Sequence, residues 1–366
     1  VDATQYEGWF YEGAGIYRHV WLEKFHNLHF NNDGGIFVYT EVDGRQAEVF
    51  VETEVVNESL KVASGQVYAI LLDRDGKELT RSEKQPIELP LNGKTKNIFS
   101  LTLDIPNMWD LENPYLYRVK TVLKSGGVEI DHQIEKFGVR TIEIDPKLGV
   151  LLNGKPIKIK GTNNHQDHAG VGSALPDYLQ YYRIKLLKEM GSNAYRASHN
   201  PPTPELLEAC DSLGMLVMDE TRLLNTSPEH MSQFEQLIKR DRNHPSVFMW
   251  CIGNEEGWIQ QNSVGKRLAL TMLAKQRELD PTRTSTYAAD MANVYKGINP
   301  VIPVRGFNYR EYGMVPYHKD HPNQPIIGTE MGSTVTTRGI YTVDSLKGYL
   351  PDQDLSHPWW ASLAEE

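Results

Sequence analysis

Hydrophobic and polar residues alternate with a period of two through the first part of the chain. Val49 and Val51, for example, are flanked by Glu48 and Glu52. Runs of Asp and Gly that favour turns separate the alternating segments. Short strands of this kind, each with one apolar face, are typical of an immunoglobulin-like β-sandwich. The pattern therefore predicts an all-β sandwich domain over residues 23–141.

Beyond Asp145-Pro146, apolar runs of strand length alternate with segments of helical periodicity. Strands are predicted over 157–160, 193–196, 215–220, 246–252, 283–288, 302–307 and 325–329. Helices are predicted over 179–190, 203–213 and 263–279, and another from Ser227, which with Pro228 makes an N-cap and first-turn pair. This βα order predicts an α/β fold, a (β/α)8 TIM barrel over residues 142–366, with an open doubly wound sheet as the alternative.

Two further expectations concern this barrel. The apolar residues expected to pack its first helix against it are Leu179, Tyr182, Leu186, Leu187 and Met190. A complete barrel typically takes about 250 residues, and no eighth strand is evident in the sequence. We therefore expect strands 1 to 7 and a barrel that is incomplete at its C-terminus.

Composition limits the classes of function. The chain has 366 residues, of which 23% are charged, and a formal net charge of −10. Nucleic acids and anionic membranes need a basic face, so neither is expected as a partner, whereas a neutral sugar is compatible with this charge. Cys210 and Cys251 are the only cysteines and lie in apolar segments, which predicts two buried thiols rather than a disulfide framework.

The strongest candidate for chemistry is the run Pro245–Gly257, an apolar strand that ends in Asn254, Glu255 and Glu256. The segment 324–330 repeats this layout and ends in Glu330. Ligands collect at the carboxyl ends of strands in parallel α/β folds, and glycoside hydrolysis commonly needs two carboxyl groups across the scissile bond. We interpret Glu255 and Glu330 as such a pair; an ion pair or a helix N-terminal acid is the alternative for either residue alone.

Four motifs connect most of the chain to one family. They are Gly161-Thr-Asn-Asn-His165, Asn193-Ala-Tyr-Arg-Ala-Ser-His199, Arg240-Asp-Arg-Asn-His-Pro-Ser-Val247 and Gly253-Asn-Glu255. Together they resemble glycoside hydrolase family 2, the β-galactosidase and β-glucuronidase family. The resemblance implies that residues 1–22 are a remnant of an N-terminal sugar-binding jelly-roll domain and that the chain is truncated at both ends.

The resemblance also implies catalytic roles. Glu330 would be the nucleophile and Glu255 the acid/base of a retaining mechanism. Glu256, the rival of Glu255, would be a supporting or solvent-facing acid.

Substrate-binding residues follow from the same resemblance. Asn254 would bind the sugar 2-hydroxyl, with capping of the next helix as its alternative role, and Arg196 would hold Glu330 through a charge-assisted hydrogen bond. Tyr309 would donate to Glu330, and Tyr312 or Asn308 could take its place. The other implied sugar ligands are His165, Asp167, His199 and Asn200.

Two departures from the family's galactosidases concern the metal and the sugar. Met331, Gly332 and Ser333 follow Glu330 in place of a histidine, and residues 221–227 contain no histidine. No metal and no other cofactor is therefore predicted.

The function implied is hydrolysis of terminal non-reducing β-D-galactose residues from a β-glycoside, the expected carbohydrate partner. The alternatives are a β-glucuronidase, another family 2 glycosidase, or a catalytically inactive carbohydrate-binding fragment. A homo-oligomer is an expected state of the full-length parent, and the sequence does not determine the compartment.

Overall fold

The computed structural model describes residues 15–168, 170–332, 341, 342, 344, 346 and 347, and nine strands in its first part form two antiparallel sheets. These strands are β1 (Leu28–Phe30), β2 (Ile36–Asp43), β3 (Gln46–Asn57), β4 (Ala63–Leu72), β5 (Glu78–Arg81), β6 (Gln85–Leu89), β7 (Lys94–Asp104), β8 (Tyr117–Ser125) and β9 (Val128–Phe137). In one sheet β3 pairs with β1, β2 and β7; in the other β4 pairs with β5, β6 and β8, and β8 pairs with β9. The predicted β-sandwich is confirmed.

The alternation along β3 places its apolar residues between the two sheets. Val49 and Val51 are fully buried, whereas Glu48, which precedes Val49 in the same strand, is only half-buried. Val119 and Leu123 of β8 are fully buried in the same cluster. Burial of an aliphatic side chain of this size contributes about 1.5–3 kcal/mol, so the sandwich has a hydrophobic core of its own.

A small antiparallel sheet follows the sandwich. Its strands are β10 (Ile142–Asp145), β11 (Gly149–Leu152) and β12 (Lys155–Ile157). The prediction of a barrel strand over 157–160 is therefore wrong. Ile157 and Ile159 instead pack, half-buried, against residues such as Phe248 near the amino ends of the barrel strands. Their alternating burial produces the same apolar pattern as a strand.

Seven parallel strands form the largest sheet of the described residues, and each pairs with the next in chain order. They are β13 (Gly161–Asn164), β14 (Ala194–Ala197), β15 (Leu216–Glu220), β16 (Val247–Asn254), β17 (Thr284–Ala289), β18 (Val304–Asn308) and β19 (Ile326–Glu330). A doubly wound sheet reverses its strand order at a switch point, so that alternative is excluded. The TIM-barrel prediction is confirmed as a nearly closed barrel, in which no described residue supplies an eighth strand or a backbone pairing between β19 and β13.

Five α-helices lie between these strands in the described part of the chain. They are α1 (Asp177–Met190), α2 (Pro204–Leu213), α3 (Pro228–Asp241), α4 (Ser263–Leu279) and α5 (Met314–Asp320). Side chains of Thr203, Ser227 and Asn262 cap α2, α3 and α4, and each cap stabilises its helix by about 1 kcal/mol. Because Asn262 caps α4, a capping role for Asn254 is wrong.

Helix α1 buries only part of the predicted face, since Leu187 is half-buried against the core cluster of the barrel. Its buried residues are Gln180 and Ile184, whereas Tyr182, Leu186 and Met190 are 39%, 43% and 67% exposed. Ile184 packs into the cluster that the neighbouring helices share. Only a narrow stripe of α1 contacts the rest of the barrel, so apolar periodicity alone predicts a wider apolar face than the helix buries.

Buried polar contacts join the sandwich to the barrel. Trp109 is fully buried, and its indole N–H donates to Asp211 O at 2.8 Å. Arg140, which follows the last sandwich strand, donates from Nη2 to Val247 O at 2.7 Å. The two units are therefore held together by specific hydrogen bonds as well as by apolar contact.

Both cysteines, Cys210 and Cys251, are buried and free, as predicted. In the ranges that the structure describes, no helix is long and apolar enough to span a bilayer. Of the predicted jelly-roll remnant at 1–22, residues 1–14 lie outside the described residues.

Candidate active site

The carboxyl ends of the barrel strands bring five polar residues together. Arg196, Glu220, Asn254, Asn308 and Glu330 lie at or beside the last residues of β14, β15, β16, β18 and β19. The first four are at most 4% exposed. Parallel strands of a barrel all end at the same rim, and this is why residues so distant in the chain form one hydrogen-bonded network.

Asn308 lies between the two predicted catalytic acids. Its amide nitrogen donates to Glu255 Oε1 at 2.9 Å and to Glu330 Oε2 at 3.4 Å. Because both bonds share one nitrogen atom, these two oxygens are at most about 6.3 Å apart. Carboxyl groups of retaining glycosidases are about 5–5.5 Å apart and those of inverting enzymes about 6.5–9.5 Å. The arrangement therefore fits a retaining pair better than an inverting one.

Three donors surround Glu330. Arg196 Nη1 donates to Oε2 at 2.8 Å, the Tyr309 hydroxyl donates to Oε1, and Asn308 supplies the third bond. Charge-assisted hydrogen bonds of this kind fix the orientation of a carboxylate. The side chain of Glu330 is 14% exposed, so it is held in place and still open to the barrel mouth. Tyr312, the alternative donor, is 65% exposed and contributes none of these bonds.

Arg196 is saturated by protein acceptors. Its Nε and Nη2 both donate to Glu220 Oε2, at 2.9 and 2.5 Å. Nη2 also donates to Asn254 Oδ1 at 2.8 Å, and Nη1 to Asn163 Oδ1 at 3.0 Å. Burial opposes the charged form of Arg196, but Glu220 and Glu330 outweigh it and raise the pKa above its ordinary value. Arg196 is therefore a permanent cation between two carboxylates.

The side-chain oxygen of Asn254 is engaged twice. Arg196 Nη2 and Asn308 Nδ2 donate to Oδ1 at 2.8 and 3.0 Å. This fixes which way the amide points, because only the oxygen can accept from both donors. The NH2 group is then the part of Asn254 that can donate to a ligand.

Glu255 occupies a less polar setting than Glu330. Burial, together with the negative charges of Asp290 and Glu330, raises the pKa of Glu255 to about 7, against the opposing hydrogen bond from Asn308. A carboxyl group with this pKa is substantially protonated at neutral pH, and it can act as a proton donor there.

The backbone turns sharply at two residues of the site. The φ angle is 53° at Glu255 and 50° at Tyr309, in the left-handed region that costs a non-glycine residue about 1 kcal/mol or more. A backbone hydrogen bond stabilises each turn, since Glu255 N donates to Ala288 O at 3.0 Å and Tyr309 N donates to Glu330 O at 2.7 Å. Strain of this kind is concentrated at functional sites.

Glu256 is engaged by protein groups on both oxygens. Oε1 accepts from the backbone N–H groups of Leu224 and Asn254, at 2.8 and 3.3 Å, and Oε2 accepts from the Tyr287 hydroxyl. Burial raises the pKa of Glu256. These contacts connect the loop after β15 to the end of β16, and they place Glu256 in a supporting position rather than a solvent-facing one.

Two histidines adjoin the network. His199 Nδ1 is 2.9 Å from Glu220 Oε1, and its Nε2 is 4.0 Å from Glu330 Oε2. The ring of His165 meets that of His199 edge-on, with 5.4 Å between centroids. Burial and the nearby His199 lower the pKa of His165, so this ring is neutral at neutral pH.

Asp167 and Asn200 lie at the edge of the same region. The negative charge of Asp167 acts on His165 and opposes the lowering of its pKa. Asn200 lines a hollow of about 350 Å³ together with Tyr17 and Gln166. The structure thus brings Arg196, Asn254, Tyr309 and His199 to the acid pair, and it leaves Asp167 and Asn200 beyond hydrogen-bonding contact with it in the described residues.

Glu220 and Asn163 belong to the network but are not predicted from the sequence. Glu220 is an acid at the end of a buried apolar strand, which is the same signal that identifies Glu255 and Glu330. The strand-end pattern could therefore have predicted Glu220 from the sequence. Asn163 lies in the polar strand β13, where no apolar pattern indicates a strand end.

A cluster with metal-ligand side chains lies elsewhere in the described residues. His19, Asp177 and Glu205 have ligand atoms within 4.8 Å of one another. His19 Nε2 is 2.8 Å from Asp177 Oδ1, and His19 and Asp177 are largely exposed, so the group is accounted for as a surface ion pair.

The chain matches two family models in succession. Residues 30–140 match the model "Glycosyl hydrolases family 2", and residues 142–227 and 224–345 match "Glycosyl hydrolases family 2, TIM barrel domain". The first match coincides with the sandwich strands and the second with the barrel strands.

Individual relatives agree with these matches. A β-galactosidase of Bacteroides ovatus is 32% identical over 94% of this chain, which covers 46% of that protein. The structure of a family 2 member from Bacteroides cellulosilyticus has a TM-score of 0.82 at 32% identity and covers 88% of this chain and 45% of its own. Bacteroides uniformis β-glucuronidase 2, covalently bound to cyclophellitol-6-carboxylate aziridine, has a TM-score of 0.76 at 30% identity, with 87% and 43% covered. The chain spans about half the length of these relatives.

Proposed function

Since this chain belongs to glycosyl hydrolase family 2, we propose that it carries the catalytic site of a retaining exo-β-glycosidase that releases terminal β-D-galactose. The observation that carries the proposal is the amide of Asn308, which contacts Glu255 and Glu330 through a single nitrogen atom. The two acids share one gap but have different neighbours, as an acid/base and a nucleophile require.

In the first step, Glu330 attacks the anomeric carbon and the bond from that carbon to the leaving oxygen breaks. Protonated Glu255 gives its proton to this oxygen, so the leaving group departs as an alcohol and the sugar becomes an ester of Glu330. The pKa of about 7 supports this role, because it keeps a protonated fraction of Glu255 at neutral pH. The hydrogen bonds from Arg196 and Tyr309 support the role of Glu330, because they orient the attacking carboxylate.

In the second step, Glu255 is ionised and takes a proton from water as the water oxygen attacks the anomeric carbon. The ester bond to Glu330 breaks, and the sugar leaves with its original configuration after two inversions. Both acids are then back in their starting protonation states.

Sugar binding is proposed for the residues around this gap. Asn254 has its oxygen engaged by Arg196 and Asn308, and its NH2 group donates to the sugar 2-hydroxyl, a contact that strengthens in the transition state. His165, Asp167, His199 and Asn200 are proposed as partners of the remaining hydroxyls.

Galactose is proposed as the sugar on two grounds. The Bacteroides ovatus relative is a β-galactosidase. In addition, a glucuronide would need a cation for its carboxylate, and within the described hydrogen-bonded network the cation Arg196 already donates to Glu220, Asn254 and Glu330. The competing assignment is a β-glucuronidase, which the Bacteroides uniformis relative favours.

The test is hydrolysis of a panel of aryl β-glycosides by the full-length protein and by its Glu330→Gln variant. We expect release of β-galactose with retained configuration, and a loss of about 1,000-fold or more in the variant. Glu311→Gln is the control, because Glu311 is exposed, and this variant should remain active. A preference for the β-glucuronide would replace galactose as the proposed sugar. Hydrolysis that survives Glu330→Gln would contradict the nucleophile role of Glu330. A protein that is inactive on every β-glycoside would favour the alternative of a carbohydrate-binding fragment.

We also propose the domain limits 23–141 for the sandwich and 142–366 for the barrel, with 1–22 as the end of a preceding jelly-roll domain. The junction of the two family matches between residues 140 and 142 supports the middle boundary.

A further inference from the structure

Glu220 is a buried carboxylate that lies behind the proposed catalytic pair. It is fully buried at the end of β15. Its Oε2 accepts from Nε and Nη2 of Arg196, and its Oε1 is 2.9 Å from His199 Nδ1. With both oxygens engaged by protein groups and no exposed surface, Glu220 does not contact a substrate itself, and its strongest contacts lead to Arg196 and His199.

We propose that Glu220 is a positioning residue, which aims the guanidinium of Arg196 at Glu330 and fixes the tautomer of His199. The proposal rests on the function proposed above, since it assigns Arg196 and His199 a part in that reaction.

The geometry of Arg196 supports the first part. A guanidinium is a rigid planar fork, so two donors fixed on one oxygen of Glu220 also fix the plane and the direction of the third nitrogen. That nitrogen, Nη1, then lies 2.8 Å from Glu330 Oε2. Without the carboxylate of Glu220, the buried cation would have Glu330 as its only charged partner and could rotate toward it.

The chemistry of His199 supports the second part. An ionised carboxylate can only accept, so the hydrogen of the His199–Glu220 bond belongs to Nδ1. Burial opposes ionisation of Glu220, but Arg196 and His199 lower its pKa overall. In the neutral ring Nε2 then carries a lone pair, and it faces the region of Glu330 at 4.0 Å. Glu220 thereby makes this nitrogen an acceptor for a sugar hydroxyl.

The first measurement needs no variant. In the full-length protein with ¹⁵N-labelled histidine, we expect the His199 signal, assigned by its loss in His199→Gln, to show hydrogen on Nδ1. Hydrogen on Nε2 alone in the neutral ring would overturn the proposal.

The second measurement uses Glu220→Gln, which keeps the shape but adds an NH2 group. Nε and Nη2 of Arg196 both donate to the position of Oε2, so the remaining oxygen of the Gln side chain stays there. The new NH2 group then faces His199, and because it donates, Nδ1 of His199 must accept. We expect the His199 hydrogen to move to Nε2 and kcat/KM for an aryl β-glycoside to fall by about 100-fold. A variant with the wild-type tautomer and kcat/KM within about threefold of wild type would overturn the proposal.

Asp280→Asn is the matched control. Asp280 is also fully buried and accepts from Arg283 Nη1 and Trp250 Nε1, each at 2.9 Å, but it precedes β17 at the opposite end of the barrel. We expect lower stability with an unchanged His199 signal and kcat/KM. An equal loss of activity in this control would assign the effect to general destabilisation and overturn the proposal. If the wild type hydrolyses no β-glycoside, the proposed function fails while the tautomer measurement still decides the role of Glu220.

Discussion

At the scale of single residues, the two acids differ because their neighbours differ. Glu330 faces the cation of Arg196 and the hydroxyl of Tyr309, whereas Glu255 is buried near the negative charge of Asp290. Two identical side chains in one hollow therefore have different electrostatic surroundings, and those of Glu255 raise its pKa to about 7.

The first prediction concerns pH. Because Glu255 must be protonated to donate, and its pKa is raised to about 7, kcat/KM should fall as pH rises through this value. Initial rates with a substrate whose leaving group is strongly basic test this. A dinitrophenyl glycoside, whose leaving group needs no proton, should show little of this decline; an equal decline with both substrates would contradict the assignment of Glu255.

The second prediction concerns Tyr309→Phe. The hydroxyl of Tyr309 donates to a carboxylate, and loss of a hydrogen bond to a charged group costs about 1.5–3 kcal/mol. We expect kcat/KM to fall about 10- to 100-fold. Tyr312→Phe is the control, because Tyr312 is 65% exposed and should leave the rate unchanged. Equal effects from the two substitutions would remove Tyr309 from the site.

At the scale of elements, the end of β16 depends on a glycine. Gly253 has a φ of 152°, and a Cβ placed on it would lie 2.9 Å from Leu224 N and 2.9 Å from the Tyr287 ring. The close approach lets the loop after β15 and the ring of Tyr287 meet the strand immediately before Asn254 and Glu255. The conformation that presents the two residues thus needs a position without a side chain.

The third prediction follows from this contact. Gly253→Ala should lower the free energy of unfolding by about 1–3 kcal/mol, as measured by urea denaturation. Gly257→Ala is the control, because Gly257 also has a positive φ, 40°, but open space where a Cβ would be; it should cost only about 1 kcal/mol. A smaller loss at Gly253 than at Gly257 would show that the strand end tolerates the added methyl group.

The elements that the sequence predicts well are those with strong apolar signals. β16 and α4 are found because a buried run and a long periodic segment leave little ambiguity. β13 is missed because its four residues Gly161–Asn164 are all small or polar and line the barrel near the site. Apolar content cannot identify a strand whose side chains serve a polar network.

The acids of the site are predictable for a related reason, and their connections are not. Glu255 and Glu330 stand at strand ends, which the sequence displays. That Glu220 accepts from both Arg196 and His199 depends on which strands are adjacent and on their register. This information lies in the tertiary structure and in no local pattern.

At the scale of the whole molecule, the sandwich and the barrel share buried contacts. Trp109 belongs to the same hydrophobic cluster as Leu216 and Phe248 at the amino ends of the barrel strands. Its indole also donates to Asp211 O. The interface therefore contributes to the stability of both units.

The fourth prediction is that Trp109→Ala destabilises the whole chain by about 3–5 kcal/mol, the cost of removing a large buried aromatic side chain. Denaturant unfolding followed by circular dichroism measures this change. Trp258→Ala is the matched control, because Trp258 is 73% exposed and should be nearly neutral. A loss below about 1 kcal/mol at Trp109 would mean that the two units are energetically independent.

Among the described strands, β13 and β19 are connected at the rim by Arg196, whose Nη1 donates both to Asn163 on β13 and to Glu330 on β19. Hydrogen bonds tolerate only a few tenths of an ångström before they weaken. Both hydrogen bonds of this guanidinium nitrogen therefore depend on the spacing between β13 and β19. Spreading β13 and β19 apart would therefore lengthen the hydrogen bond that orients Glu330, so in the proposed reaction a loss of activity should accompany the opening of the barrel.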